Sequence, residues 1–581
     1  MKKLFTILFC TSLLINLSAQ EALKSYEEEY YDFLSVTGEV QRNYLNYRTL
    51  SDSKWQAPEN HLWQDNNLGT TFNFIDLNGN KSNFFLNGID ESVSLRVYGP
   101  QAFNSYNTAA PFGQNDGALW QGRGYNLSMT TGFYLQAFGF EATLKPQLSF
   151  SQNLDFDIMP TTKSSGYGYW YGFADALQRF GDTPFWNYDW GDSEIRYNFY
   201  NFTMGLGTQS VWLGPAHENP LLLSNNAATF PKFDYGFRRT SVYMPYFGWY
   251  LGDFEFRGWM GALKDSDYYE PASDEIPADG EYLPYKQYSC FSFSWAVPHI
   301  KGLTIGANRV CLSRFGDLYQ FWYLNPFFAA NVVKTSSQKA GEDMKASVTF
   351  DWIFEPVGLE IYSEIGVDDY AANGLKLSDY ARFPFHTMTY TVGLKKSFNI
   401  SEEKGLRGLI NFEWNSTEGS RDYNNWSSGG VRKGSEYNFG FHYQIRTGYT
   451  NKGQWLGSGI GYGGNSQYLS FTLYSKHGYE KLFIARNNPD NNYVNYIIFS
   501  SQKDEDPRKW FVAYKANFYT GIESLWFIKQ NLSVKGLFAY DLIINPLYNP
   551  SVENGSYVNT YWNNFVFNLT VQINLPRHIL K

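Results

Sequence analysis

Residues 564–575 (NFVFNLTVQINL) constrain the fold more than any other stretch of this chain. Phe565, Phe567, Leu569, Val571, Ile573 and Leu575 are apolar, while Asn564, Asn568, Thr570, Gln572 and Asn574 are polar; only Val566 breaks the pattern. Alternation with period 2 puts the two sets on opposite faces of a β-strand. The run exceeds the ~5–6 residues of a common soluble strand and fits the ~9–11 tilted residues that cross a bilayer. One face of this strand meets an apolar solvent and the other meets water.

The alternation recurs upstream. Ala346, Val348, Phe350, Trp352 and Phe354 interleave with Ser347, Thr349, Asp351, Ile353 and Glu355. Met388, Tyr390, Val392 and Leu394 interleave with Thr389, Thr391 and Gly393, and Leu469, Phe471 and Leu473 continue the theme. Val512, Tyr514, Ala516 and Phe518 alternate with Phe511, Ala513, Lys515 and Asn517. Each run is a weak signal, but repetition from residue 84 to the end implies an all-β chain, a large transmembrane antiparallel β-barrel. Its length suits about 18 strands, an even number as single-chain bacterial barrels require. The 46 Tyr, 48 Phe and 18 Trp sit in a chain of mean hydropathy only −0.41. That combination suits strands with one wet face and aromatic girdles at the membrane interfaces.

The N-terminus reads as a secretory signal: Lys2 and Lys3, an apolar run from Leu4 to Leu17, then Ser18-Ala19-Gln20 as a small-residue cleavage site after Ala19. Cys10 lies inside the apolar run behind bulky Phe9, which disfavours a lipid anchor. The expected division is a signal peptide at 1–19, a periplasmic helical or irregular segment at 20–83 and an outer-membrane barrel at 84–581. Within the second part, Leu23, Tyr26, Tyr30, Phe33 and Leu34 recur at helical spacing, predicting one or two short helices that cap or plug the barrel mouth or offer a docking surface to periplasmic machinery. The net charge of −9, more negative once Lys2 and Lys3 are removed, argues against a nucleic-acid partner.

Two cysteines remain after the signal, Cys290 and Cys311. A hairpin turning near Pro298-His299-Ile300-Lys301-Gly302 would set them on adjacent strands, as a disulfide or as two inert thiols. Catalytic patterns are poor: no HExxH, GxSxG or CxxC occurs, and the seven histidines are scattered without metal-ligand spacing. Neither a catalytic residue, a metal site nor a cofactor is expected. Gly459-Ile460-Gly461-Tyr462-Gly463-Gly464 fits a phosphate-loop pattern formally but precedes a strand, so it reads as a glycine-rich bend. Residues 264–288, 414–435, 485–508 and 543–560 are polar and turn-rich, and are extracellular-loop candidates. Tyr268, Tyr269, Tyr282 and Tyr285 would stack on sugars or belong to the interface girdle.

One segment does not alternate. Gln209-Ser210-Val211-Trp212-Leu213-Gly214-Pro215 leads through Asn219-Pro220 to Leu221-Leu222-Leu223-Ser224-Asn225-Asn226-Ala227 and Phe230-Pro231. Asn and Ser side chains satisfy tight backbone turns, so one reading is an inward loop that constricts the barrel. The other is a carbohydrate contact, with Trp212 for stacking and the Asn225 and Asn226 amides for hydroxyls. Arg238 and Arg239 follow, and either engage acidic sugars or balance lumenal acids.

This segment, VWLGPAHENPLLLSNNAATFP, resembles the signature of the Wzi family of capsule assembly proteins, and Arg179-Phe180-Gly181-Asp182 with Gly191-Asp192-Ser193-Glu194-Ile195-Arg196-Tyr197 resembles its Bacteroidetes-type members. Gly214, Pro215, Ser224, Phe230 and Pro231 are the structural motif residues; Leu213 stands where the family often has a second Trp. The resemblance implies an outer-membrane barrel with periplasmic helices. Its role would be to bind, anchor or organise surface polysaccharide without catalysis. The expected partners are that polysaccharide, outer-membrane lipid and the export machinery. Composition and strand pattern suit a porin or oligosaccharide channel equally well, and a barrel enzyme would need a nucleophile–base or carboxylate pair that no local pattern supplies.

Overall fold

The computed structural model describes residues 25–55, 58, 60–66, 68, 71–75, 92–159, 166–168, 174–273, 275–276, 282–314, 342–368, 385, 387–419, 439–442, 445–494 and 506–575. The expected signal peptide and most of the 414–435 loop lie outside them.

Eighteen antiparallel strands close into a barrel. They begin with β1 (Val93–Asn107), β2 (Gly124–Ala137), β3 (Phe140–Leu144 continued by Gln147–Ser151) and β4 (Phe185–Asp189 continued by Glu194–Phe199). β5 (Phe202–Gly207), β6 (Lys232–Tyr243), β7 (Tyr250–Lys264), β8 (Tyr285–Ala296) and β9 (Leu303–Arg314) follow. Next come β10 (Glu342–Phe354), β11 (Leu359–Asp368), β12 (Thr389–Ser401), β13 (Leu406–Ser416) and β14 (Asn465–Ser475). The last are β15 (Gly478–Asn488), β16 (Ala516–Lys529), β17 (Leu532–Ile544) and β18 (Tyr561–Ile573). β18 returns to β1, with Val566 opposite Asn107 and Gln572 opposite Gln101. A short strand, Thr71–Ile75, pairs with β1 at Leu95 and Arg96, so wall pairing starts ahead of residue 84.

The alternation of residues 564–575 sets the two faces. On β18, Phe565 (42%), Phe567 (48%) and Leu569 (47%) are exposed on the outer wall, whereas Asn564 (0%) and Thr570 (3%) are buried inside. Among the described residues no helix is long and apolar enough to cross a membrane; the strands do so. Turns of two to six residues join strands at one end, and long connections join them at the other. In outer-membrane barrels the short-turn end is periplasmic.

The lumen is filled from both ends. Helix α1 (Tyr26–Val36) enters from the short-turn end, capped by the Ser25 hydroxyl, which accepts from the Glu28 N–H at 2.9 Å. It is buried on nearly every side rather than on one stripe, because it lies inside the wall. Tyr26, Tyr30, Phe33 and Trp63 pack against Tyr474, Tyr479 and Leu525 of the wall. From the long-connection end, residues 108–123, 208–231, 439–442 and 445–464 fold inward. Leu213, Leu222, Leu223, Phe439, Tyr449 and Leu456 form a lumenal apolar core with Trp259, Tyr288, Val310 and Leu312 of the wall. Burying each such large side chain stabilises by about 1.5–3 kcal/mol, enough to hold a plug in place of water.

The hairpin expected between Cys290 and Cys311 forms, but the disulfide does not. Cys290 pairs with Val310, and Cys311 pairs with Ser289. That one-residue offset sends the two side chains to opposite faces. Cys290 packs in the lumenal core, and Cys311 packs on the other face against Met344.

Candidate functional site

The non-alternating segment is the keystone of the plug. Trp212-Leu213 pairs with Tyr47-Arg48 in a two-stranded sheet inside the barrel, joining the inward loop to the N-terminal segment. Gly214 then turns with φ +96°, a conformation L side chains rarely adopt, and a Cβ there would lie 3.0 Å from the Glu364 carboxylate. The Trp212 indole closes this turn by donating from Nε1 to the Ala216 carbonyl at 2.7 Å. Its ring is buried, and the Arg48 guanidinium sits 5.4 Å from its centroid. Both faces of the ring are therefore covered.

Ser224, Asn225 and Asn226 knit three inward segments together. Ser224 Oγ donates to the Gly457 carbonyl at 2.7 Å and accepts from the Asn226 N–H at 3.0 Å. Asn226 Oδ1 accepts from the Asn115 N–H at 3.0 Å, and its Nδ2 donates to the Trp455 carbonyl at 2.9 Å. The Asn225 carbonyl accepts from the Gly117 N–H at 2.7 Å. Phe230 is buried edge-on against Tyr288, and the Pro231 carbonyl accepts from Ala262 N–H on β7.

Wall carboxylates hold the backbone of the plug. Glu413 on β13 accepts from the amides of His217 (2.6 Å), Glu218 (3.0 Å) and Asn219 (2.7 Å), and from the Tyr362 hydroxyl at 2.9 Å. Glu255 on β7 accepts from the amides of Leu45, Asn46 and Tyr47 at 2.9–3.1 Å. Glu364 on β11 accepts from the Leu221 amide at 2.9 Å. Loops folded into a lumen cannot hydrogen-bond to bulk water, so the wall supplies acceptors.

Arg238 and Arg239 are both paired with carboxylates. Arg238 donates to Asp52 and Glu141, and Arg239 to Asp253 and the Arg42 carbonyl. Arg257 joins Asp52, and Arg196 joins Glu194 and Asp234. A second network ties Arg42 and Lys395 to Asp32 of α1 and to Glu360. Burial alone would raise the Asp32 carboxyl, but Arg42 and Lys395 reverse this and hold it well below the usual range. Breaking such buried pairs one-sidedly costs about 3–5 kcal/mol, so they fix where the plug docks. Gly459–Gly464 is a bend, with Gly461 at φ +84° and Gly463 at φ +99°.

The plug leans on the β6–β13 side and leaves a cleft of about 440 Å³ along β14–β18 and β1. Asn225 is the one sequence candidate that reaches it. Gly459 and Ile460 of the glycine-rich bend also line it, with Phe112 and Gln121 from the 108–123 loop, Tyr468 on β14, Lys481 and Asn487 on β15, Tyr519 on β16 and Asn568 on β18, and Lys515 just before β16. Their signal was present, since Tyr519 and Asn568 occupy the lumenal parity of alternating strands. At the short-turn end Lys481 bonds to Glu29 of α1 and to Glu523, each at 3.0 Å. Among the described residues no group of three His, Cys, Asp or Glu converges to hold a metal.

A family model described as capsule assembly protein Wzi matches residues 187–523. No curated protein matches the sequence. Among solved structures, Wzi of Escherichia coli, described as an outer-membrane carbohydrate-binding β-barrel involved in group 1 capsule assembly, aligns over 97% of this chain and 100% of its own. The TM-score is 0.54 at 11% identity, a likeness of fold. OprD of Pseudomonas aeruginosa covers 84% of this chain and 95% of its own at TM-score 0.37 and 9% identity. OccAB1 of Acinetobacter baumannii covers 83% and 97% at TM-score 0.35 and 11% identity. Those two scores are too low to carry an inference.

Proposed function

The chain belongs to the Wzi family of capsule assembly proteins, and from that premise we propose that it binds, anchors or organises surface polysaccharide at the outer membrane during capsule assembly, without catalysis. The observation that carries this reading is the 209–231 segment, which lies inside the family match and is built into the lumen as the keystone of a plug. A barrel filled in this way is suited to holding a polymer at its outer end rather than to conducting solutes.

Several finer points belong to the proposal. The chain is divided into a signal peptide, a periplasmic segment and the barrel. Outer-membrane lipid surrounds the wall, and the export machinery delivers the polymer. Trp212, Asn226, Arg238 and Arg239 hold the plug, while Asn225 and the cleft residues meet the polysaccharide. Deleting the gene and comparing cell-bound with shed polysaccharide tests the reading. A shift from bound to shed at unchanged total is expected. Unchanged retention together with a lost nutrient-uptake phenotype would refute it in favour of a channel.

A further inference from the structure

Five residues that line the cleft carry a buried side-chain amide oxygen without a hydrogen-bond partner among the described residues: Asn115, Gln121, Asn225, Asn487 and Asn568. Asn115, Gln121 and Asn225 are only 5%, 6% and 3% exposed. Buried acceptors are rarely left open in a folded protein, so a run of them in one cavity marks a place where donors arrive from outside the chain.

The same cavity carries aromatic surface. Phe112 meets Tyr519 edge-on at 5.4 Å between centroids, and Tyr468 stacks on Phe483 at 6.3 Å. Aromatic faces beside amide acceptors suit a ligand with C–H faces and hydroxyl edges, which is the chemistry of a sugar ring. The lining charges nearly cancel, with Glu29, Asp116, Glu218 and Glu523 set against Lys481, Lys515 and Lys535. Lys481 pairs with Glu29 and Glu523, and Asp116 accepts from Gln121 Nε2 at 2.7 Å. The volume of about 440 Å³ lies within the ~300–1,000 Å³ of small-molecule sites. The cleft runs from the long-connection residues Gln114, Pro489 and Lys515 down to Glu29. There the aromatic cluster of α1 and Trp63 with Tyr474 and Tyr479 forms a floor.

We propose that this lumenal cleft is a saccharide subsite, entered from the outer end, that holds a neutral, hydroxyl-rich segment of about two or three sugar units. The assignment rests on the polysaccharide-binding reading and deepens it: the polymer is gripped inside the barrel as well as at its rim. The amide oxygens accept from hydroxyls, and Tyr468 and Tyr519 carry the ring faces.

The test uses the full-length protein in detergent, with two probes purified from the producing cells: the intact surface polysaccharide and its di- to tetrasaccharides from partial hydrolysis. Calorimetry is expected to show both binding. Tyr519→Ala and Asn568→Leu should each weaken the short oligosaccharides about tenfold, with Tyr519→Phe near wild type. A second readout needs no variant. Burial lowers the Lys515 pKa against the pull of Asp541, leaving more free amine, and bound oligosaccharide should slow acetylation of Lys515 by several-fold. If the polymer binds while the oligosaccharides do not, or bind equally to all variants without protecting Lys515, the subsite is overturned and the general reading stands. If neither probe binds wild type, both fall.

Discussion

Replacing Glu413 by Gln should loosen the plug without disturbing the wall. The carboxylate now accepts three backbone N–H groups and one phenolic O–H, all within 3.0 Å. Hydrogen bonds to a charged group are worth about 1.5–3 kcal/mol each. The Gln carbonyl keeps roughly half of them, and its NH₂ faces donors it cannot satisfy. Two lost bonds amount to about 4 kcal/mol, which multiplies local opening of the 217–219 turn by about a thousandfold. Hydrogen exchange read by mass spectrometry reports this directly, since those amides should exchange about three orders of magnitude faster while β13 and β14 stay protected. In a planar bilayer the variant should show intermittent openings where wild type shows no large steady conductance. Less than a tenfold change in exchange, with silent traces, would refute the idea that wall carboxylates anchor the plug.

Other outcomes follow from the same geometry. Gly214→Ala should lower stability by about 1–3 kcal/mol, seen as an earlier melt of the plug, because the turn requires positive φ and the new Cβ meets Glu364. Burial pushes Glu28 up to about 7 from 4.5, with Arg48 and the Trp55 indole opposing. A carboxyl raised on folding binds more protons folded than unfolded. Its contribution is therefore intact below pH 4.5 and declines through pH 7 by an amount on the order of 3 kcal/mol. Glu28→Gln should flatten that slope in pH-dependent melts; an unchanged slope would exclude Glu28 as its source. Reductant should leave the melting temperature unchanged, and Cys290→Ser/Cys311→Ser should migrate as wild type without it, because the two thiols face opposite sides of their hairpin.

The wall was legible in the sequence because a strand between two solvents must alternate, residue by residue, and that constraint is local. Phe565, Phe567 and Leu569 had to face lipid wherever β18 sat, and the strand count followed from chain length. The 209–231 segment was legible as an inward fold because it abandons that period. What the sequence alone left open was which distant groups would meet. Whether Cys290 and Cys311 bond depended on a one-residue register. The apolar spacing from Tyr26 to Leu34 announced a helix, but whether α1 would dock on a partner or plug the mouth depended on the wall closing around it. Which groups Arg238 and Trp212 would meet waited on the placement of Asp52, Glu141 and Arg48 beside them. The cleft existed only as the space left when the plug leaned to one side. Tertiary structure decided these points because each depends on pairs of residues tens to hundreds of positions apart, whose distances no local pattern encodes.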